Sequence, residues 1–126
     1  MFIDSLPSLI TAVNTYFDAL YECDLPKFDQ VFHQSCSLFD ASNGIFTAMP
    51  IPNYREIIAH RKSPKSAGQQ REDRLISIDF LSPDSAVVKV RLRIHDKVFV
   101  DHLNFMRVDQ RFMIVAKLWH DATSEV

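Results

Sequence analysis

A carboxylate stands where the residue pattern calls for an apolar side chain. Along Lys97-Val-Phe-Val-Asp-His-Leu-Asn-Phe-Met-Arg107, strict alternation puts Asp101 on the face that carries Phe99, Leu103 and Phe105. Further on, Phe112-Met-Ile-Val-Ala-Lys-Leu-Trp-His120 places Lys117 and Trp119 on one face of a second strand. A carboxylate and an ammonium meeting inside an apolar layer can form a buried ion pair that fixes strand register. They can equally be the polar end of a pocket that recognises a carbonyl, amide or carboxylate. Trp119 facing Phe99 gives an aromatic wall suited to a planar ring. His33, after a helix and near the expected pocket mouth, has the chemistry of an acid/base group.

The elements that must hold these residues are helices first, then a sheet. Leu6, Leu9, Ile10, Val13, Tyr16, Phe17 and Leu20 recur at helical spacing and predict a first helix over residues 5–22, with Pro7 in its first turn and Tyr16 on the core side. Asp24 followed by Pro26 caps a short second helix over 24–33. Ala-Ser-Asn-Gly44 separates two short strands, 37–40 and 45–49. A third helix over 53–62 turns Tyr54, Ile57 and Ile58 inward, and its last turn is cationic. Residues 63–73 are a polar surface loop.

Three hairpins follow. A turn at Pro83-Asp84-Ser85 sets Phe80, Ile78 and Ile76 against Val88, Val90 and Leu92. A turn at Asp96-Lys97 sets Val88, Val90, Leu92 and Ile94 against Phe105, Leu103, Asp101 and Phe99. A turn at Val108-Asp109-Gln110 sets Phe105, Leu103, Asp101 and Phe99 against Met113, Val115, Lys117 and Trp119, making Asp101 and Lys117 direct neighbours. The other face carries Lys89, Arg91, Arg93, His95, Val100, His102, Asn104, Met106, Phe112, Ile114, Ala116 and Leu118. It is apolar enough along its last strand to suggest a homodimer through this outer face.

Composition narrows the function classes. With 126 residues, 47% hydrophobic and 24% charged, the chain has the size of one domain with one core, residues 1–126, and a loose tail at 121–126. A net charge of -2 gives no footprint for nucleic acid. Nothing apolar approaches the roughly 20 residues of a membrane span, and the start lacks a basic leader, so a soluble cytoplasmic protein without membrane partners is expected. The two cysteines match no zinc spacing, and the five histidines lie on different elements, so no metal is expected. With only two glycines there is no phosphate-cradling loop, and no cofactor is expected.

Phe-Val-Asp101-His-Leu-Asn-Phe-Met-Arg-Val-Asp109 followed by Phe112-Met-Ile-Val-Ala-Lys117-Leu-Trp-His120, with Phe32-His33, Ser77-Ile-Asp79 and Ala86-Val-Val-Lys-Val90, resembles the putative lumazine-binding branch of the nuclear transport factor 2-like superfamily. Gln110 stands where that family usually has Gly in the turn. The resemblance implies an α+β fold, a cone-shaped curved antiparallel sheet packed against three N-terminal helices, also called cystatin-like. It implies a small-molecule ligand within the cone, contacted by Asp101, Lys117, Trp119, Phe99, Leu103, Leu92 and Tyr54. The superfamily includes ketosteroid isomerase, and Tyr16, Asp40 and Asp101 are similar in placement to its oxyanion tyrosine, general base and protonated aspartic acid. An acid/base enzyme, an isomerase or dehydratase using Tyr16, Asp40 and His33, is therefore the alternative to a binding protein, and an interaction module with a filled cone is a third. Lys117 opposes the isomerase version, because a cation beside Asp101 favours the ionised carboxylate.

Overall fold

The computed structural model describes residues 2–125. Helices α1 (Phe2–Glu22), α2 (Leu25–Val31) and α3 (Ile51–His60) pack on one side of a six-stranded sheet built from β1 (Phe32–Asp40), β2 (Thr47–Pro50), β3 (Asp73–Ser82), β4 (Ser85–Ile94), β5 (Lys97–Val108) and β6 (Arg111–Asp121). The strand order is β2-β1-β6-β5-β4-β3. All neighbours are antiparallel except β1 and β6, which run parallel and join the first strand to the last. The sheet is curved and unclosed, and the three helices cover its concave side to make the expected α+β cone.

Helix α1 begins earlier than its spacing suggests, so Pro7 lies inside the helix and not in its first turn. Its buried stripe, Leu9, Val13, Tyr16, Phe17 and Leu20, lies against the sheet. Near its start, Ser5 Oγ donates to the Pro83 carbonyl at 2.6 Å, tying α1 to the β3–β4 turn. Asp24 caps α2, accepting from the Lys27 amide at 3.0 Å. The second helix stops at Val31, so Phe32 and His33 open β1, which is far longer than the four residues expected. Between β1 and β2 the chain makes a single turn of 3-10 helix at Ser42–Gly44, with Asn43 at φ 56° and Gly44 at φ 74°. The Asn-Gly pair thus turns the chain, but within a loop longer than a two-residue hairpin.

The three long hairpins form as expected, and each register differs from expectation. The β3–β4 turn is Pro83-Asp84, which pairs Phe80 with Ala86, Ile78 with Val88 and Leu75 with Val90. Bulges at Ile76 and Leu81 turn both side chains outward, and they are 41% and 88% exposed. The β4–β5 turn is His95-Asp96, with His95 at φ 57°, so Val88, Val90 and Leu92 face Leu103, Asp101 and Phe99. This slip of two residues keeps every side chain on its expected face. The β5–β6 turn is Asp109-Gln110, both at positive φ, and pairs Phe105 with Ile114.

Beyond that pair Val115 is an extra residue, so Asn104 faces Ala116, Leu103 faces Lys117 and Asp101 faces Trp119. Asp101 and Lys117 are therefore diagonal neighbours, not opposite ones. The bulge also reverses the faces of β6: Phe112 and Ile114, expected outside, join the core, while Lys117 and Trp119 still point inward. The Ala122 amide donates to the Val98 carbonyl at 2.8 Å, and the Val98 amide donates to Thr123 Oγ1 at 3.0 Å. Val126 lies outside the described residues.

Candidate functional site

The bulge at Val115 aims Lys117 into the cone, and strand alternation aims Asp101 there from β5; both are buried, at 4% and 1% exposure. Tyr16 reaches them from α1. Its hydroxyl donates to Asp101 Oδ2 at 2.6 Å. Lys117 Nζ stands 3.6 Å from the same oxygen and donates to Tyr54 Oη, on α3, at 3.4 Å. The ammonium also lies over both tyrosine rings, 5.2 Å from the Tyr16 centroid and 4.9 Å from that of Tyr54. Two helices and two strands thus converge on one polar cluster in an aromatic setting.

Burial is the largest influence on both titratable partners of Asp101. It pushes the Tyr16 hydroxyl well above its ordinary value of 10.0, and the negative charge of Asp101 adds to the rise. For Lys117 burial acts downward, but attraction to Asp101 and contact with Tyr54 outweigh it and hold the ammonium above its ordinary 10.5. Lys117 is a cation at any physiological pH, and Asp101 receives a hydrogen bond and a positive charge on one oxygen. Its other oxygen, Oδ1, is buried without a donor among the described residues. A lysine carries three donors, and this one has a single acceptor within hydrogen-bonding distance. The cluster is left under-satisfied.

The cluster opens into a cavity of about 170 Å³. Leu92, Ile94, Phe99 and Trp119 line it from the sheet, Leu38 and Met49 from β1 and β2, and Leu20, Tyr54, Ile57 and Arg61 from the helical side. Of the expected ligand contacts, Asp101, Lys117, Trp119, Phe99, Leu92 and Tyr54 border this space. Leu103, fully buried, packs in the core instead. Tyr16 stands behind Asp101, joined to the cavity through the carboxylate.

Asp40 and His33 are placed elsewhere. Asp40 Oδ1 accepts from Ser42 Oγ at 2.6 Å and borders an outer concavity with Phe46 and Leu118. His33 Nδ1 accepts from the Ser35 amide at 3.0 Å beside the separate cleft of Asp29 and Arg55. Neither borders the cavity of Asp101. Among the described residues no group of three His, Cys, Asp or Glu side chains could hold a metal ion.

Leu20, Leu38, Met49, Ile57, Arg61 and Ile94 line the cavity outside the expected contacts, and Arg61 is the charged one among them. Its signal was present, since Tyr54, Ile57 and Arg61 follow helical spacing along one side of α3. The cationic last turn drew attention to the helix dipole instead. The chain leaves the helix at Arg61, which caps α3 in an extended conformation at φ -78°, ψ 135°.

A helix-covered open cone with an apolar cavity and a buried charged cluster defines the class: this is the NTF2-like fold. The sequence matches the putative lumazine-binding family over residues 7–120, and the chain belongs to that family. Among solved structures it is similar to an NTF2-like protein of unknown function from Shewanella baltica, at 16% identity and TM-score 0.83 with 96% of each chain covered. It is equally similar to an NTF-2 like protein of unknown function from Silicibacter pomeroyi, at 17% identity and TM-score 0.83, covering 96% of this chain and 98% of the other. A ketosteroid isomerase-like protein from Erwinia carotovora shares 10% identity at TM-score 0.68, covering 92% and 95%. No curated protein matches the sequence.

Proposed function

We propose that this domain binds a small, planar, largely apolar molecule of about one ring in the cavity between the sheet and its helices, with Asp101, Lys117 and Tyr54 recognising its polar end. The observation that carries this reading is the buried pair of Asp101 and Lys117 lining an otherwise largely apolar cavity, with Asp101 Oδ1 lacking a hydrogen-bond donor among the described residues. A buried carboxylate oxygen without a donor costs several kcal/mol in order of magnitude, and a ligand supplying an O–H or N–H removes that cost. The volume of about 170 Å³ supports a single ring: an apolar cavity of roughly 150 Å³ holds benzene, whereas pockets for drug-sized ligands run from about 300 Å³ upward. Phe99 and Trp119 supply flat walls.

The binding reading is favoured over isomerase chemistry. Asp101 acts as an acceptor toward Tyr16 and lies beside the Lys117 ammonium, whereas the isomerase acid has to be protonated so that its O–H donates a hydrogen bond to the enolate oxygen. Asp40 and His33, the candidate bases, border other concavities. Carboxyl NMR tests the point: a protonated Asp101 near pH 7 would restore the enzyme.

Native mass spectrometry of the protein purified from its own source tests binding. A retained compound of single-ring mass, lost in Lys117→Met while the variant still folds, is the expected result. An empty protein whose cavity holds only water would overturn it.

A second reading, pairing of two copies through the outer sheet face, is supported by Met106 and Leu118, each 49% exposed there. With Phe112 and Ile114 turned inward, that face is less apolar than its sequence suggests, and light scattering at micromolar concentration tests the dimer. The two cysteines are free thiols, which accords with a reducing, cytoplasmic setting.

A further inference from the structure

We infer that the molecule held in this cavity is a monoanion, a ring carboxylate whose charged group is taken by Arg61. The inference rests on the binding reading above and adds the chemical class of the ligand. Two cations, Lys117 and Arg61, border the cavity against one carboxylate, Asp101. Lys117 is matched to Asp101, which leaves one positive charge over.

Among the described residues that charge has no ion-pair partner. Arg55, Arg71, Arg93 and Arg107 each hold a carboxylate at 3.2 Å or less, and of the arginines without an ion pair among the described residues, Arg61, Arg74, Arg91 and Arg111, Arg61 is the one that lines the cavity. Arg61, only partly exposed, forms no ion pair among the described residues. Its charge nevertheless reaches the inner cluster, where it opposes protonation of both Tyr16 and Lys117. A partly exposed arginine on a cavity also lined by Leu20, Ile57 and Ile94 gains from an anion. Its planar fork matches the two oxygens of a carboxylate.

One surplus charge fits a monoanion better than a phosphate monoester, which carries about -1.5 to -2 near neutral pH. The space of about 170 Å³ leaves room for a carboxylate on a single ring. The opposite requirement comes from Asp101 Oδ1, which needs a donor. A hydroxylated or amino-substituted aromatic acid meets both.

The experiment uses the three hydroxybenzoates and their methyl esters as probes, with affinities measured by calorimetry on the intact protein and on Arg61→Gln and Arg61→Lys. At least one acid should bind tenfold or more tighter than its ester. Arg61→Gln should erase that preference, bringing each acid and its ester to similar affinities, and Arg61→Lys should keep part of it. Esters that bind as well as the acids, or a preference that survives in Arg61→Gln, would overturn the anion inference and leave the binding reading standing. If none of the six probes binds and no compound co-purifies, both fall together.

Discussion

Two ion pairs in this molecule rank in opposite order by geometry and by consequence. Arg55 and Asp29 join α3 to α2 through two parallel hydrogen bonds, Nε and Nη2 each 2.8 Å from a carboxylate oxygen, with side chains 42% and 52% exposed. Lys117 and Asp101 stand 3.6 Å apart through one oxygen, with side chains 5% and 1% exposed. Water competes for both partners of the first pair, so its geometry adds little to stability. Neither partner of the second can be removed without stranding a charge in an apolar interior. Location outweighs geometry.

The largest expected effect comes from breaking the buried pair on one side. Lys117→Met should destabilise the fold by about 3–5 kcal/mol in urea unfolding at pH 7. A loss under about 1 kcal/mol would mean that water reaches Asp101 and that the pair behaves like a surface one. Next in size, Tyr16→Phe removes a hydrogen bond to a charged group and should cost about 1.5–3 kcal/mol. Comparing Tyr16→Phe in the native and Lys117→Met backgrounds would reveal whether the hydroxyl and the ammonium depend on one another, and simple additivity would show that they do not.

Alkaline pH probes the same cluster without mutation. Tyr16 and Lys117 both hold their protons more tightly in the fold than their ordinary values of 10.0 and 10.5. Groups raised in the folded state contribute stability that is complete below the unfolded value and lost as pH climbs toward the folded one. Stability at pH 8 and 9.5 should therefore match, as far as these two groups decide it, and fall from about pH 10 upward. Tyr16→Phe should flatten part of that fall, as read by unfolding midpoints across the range. The smallest effect is expected at the surface: Arg55→Gln should leave the unfolding midpoint unresolved from that of the unmodified protein. A marked drop would show that α2 and α3 are held together by this contact and not by burial of Phe28, Tyr54 and Ile58.

Cysteine chemistry separates inside from outside in a similar way. Burial raises the Cys36 thiol to about 11, though the nearby Lys117 charge works against the rise. It should react with a thiol reagent at pH 8 only on the timescale of unfolding, while half-buried Cys23 reacts sooner.

Much of the architecture was legible because burial imposes a period. The alternation in β4 and β5 identified Asp101 as an inward carboxylate, and it survived a two-residue error in register because a slip of two leaves faces unchanged. The helical stripe of α1 located Tyr16 on the inside. The pocket was legible in its sheet-borne residues, Leu92, Phe99, Lys117 and Trp119, and less so on the helical side. There Arg61 is both the last cation of a helix and a cavity wall.

Where the pattern was silent, the tertiary structure decided. Phe112-Met-Ile-Val-Ala116 is apolar at both parities, so alternation offers no sign of the extra residue at Val115, and only pairing with β5 shows where the face reverses. Likewise Asp40 and His33 have the right chemistry for catalysis, but their distance from Asp101 depends on how β1 curls past the helices, a long-range matter on which local spacing carries no information. The sequence by itself determined that Tyr16 and Asp101 leave water, because their helix and strand carry a clear apolar period. Which groups they then meet, and that Lys117 shares the oxygen Tyr16 bonds while Asp101 Oδ1 is left open, follows from bulges and crossings set by packing the whole chain at once.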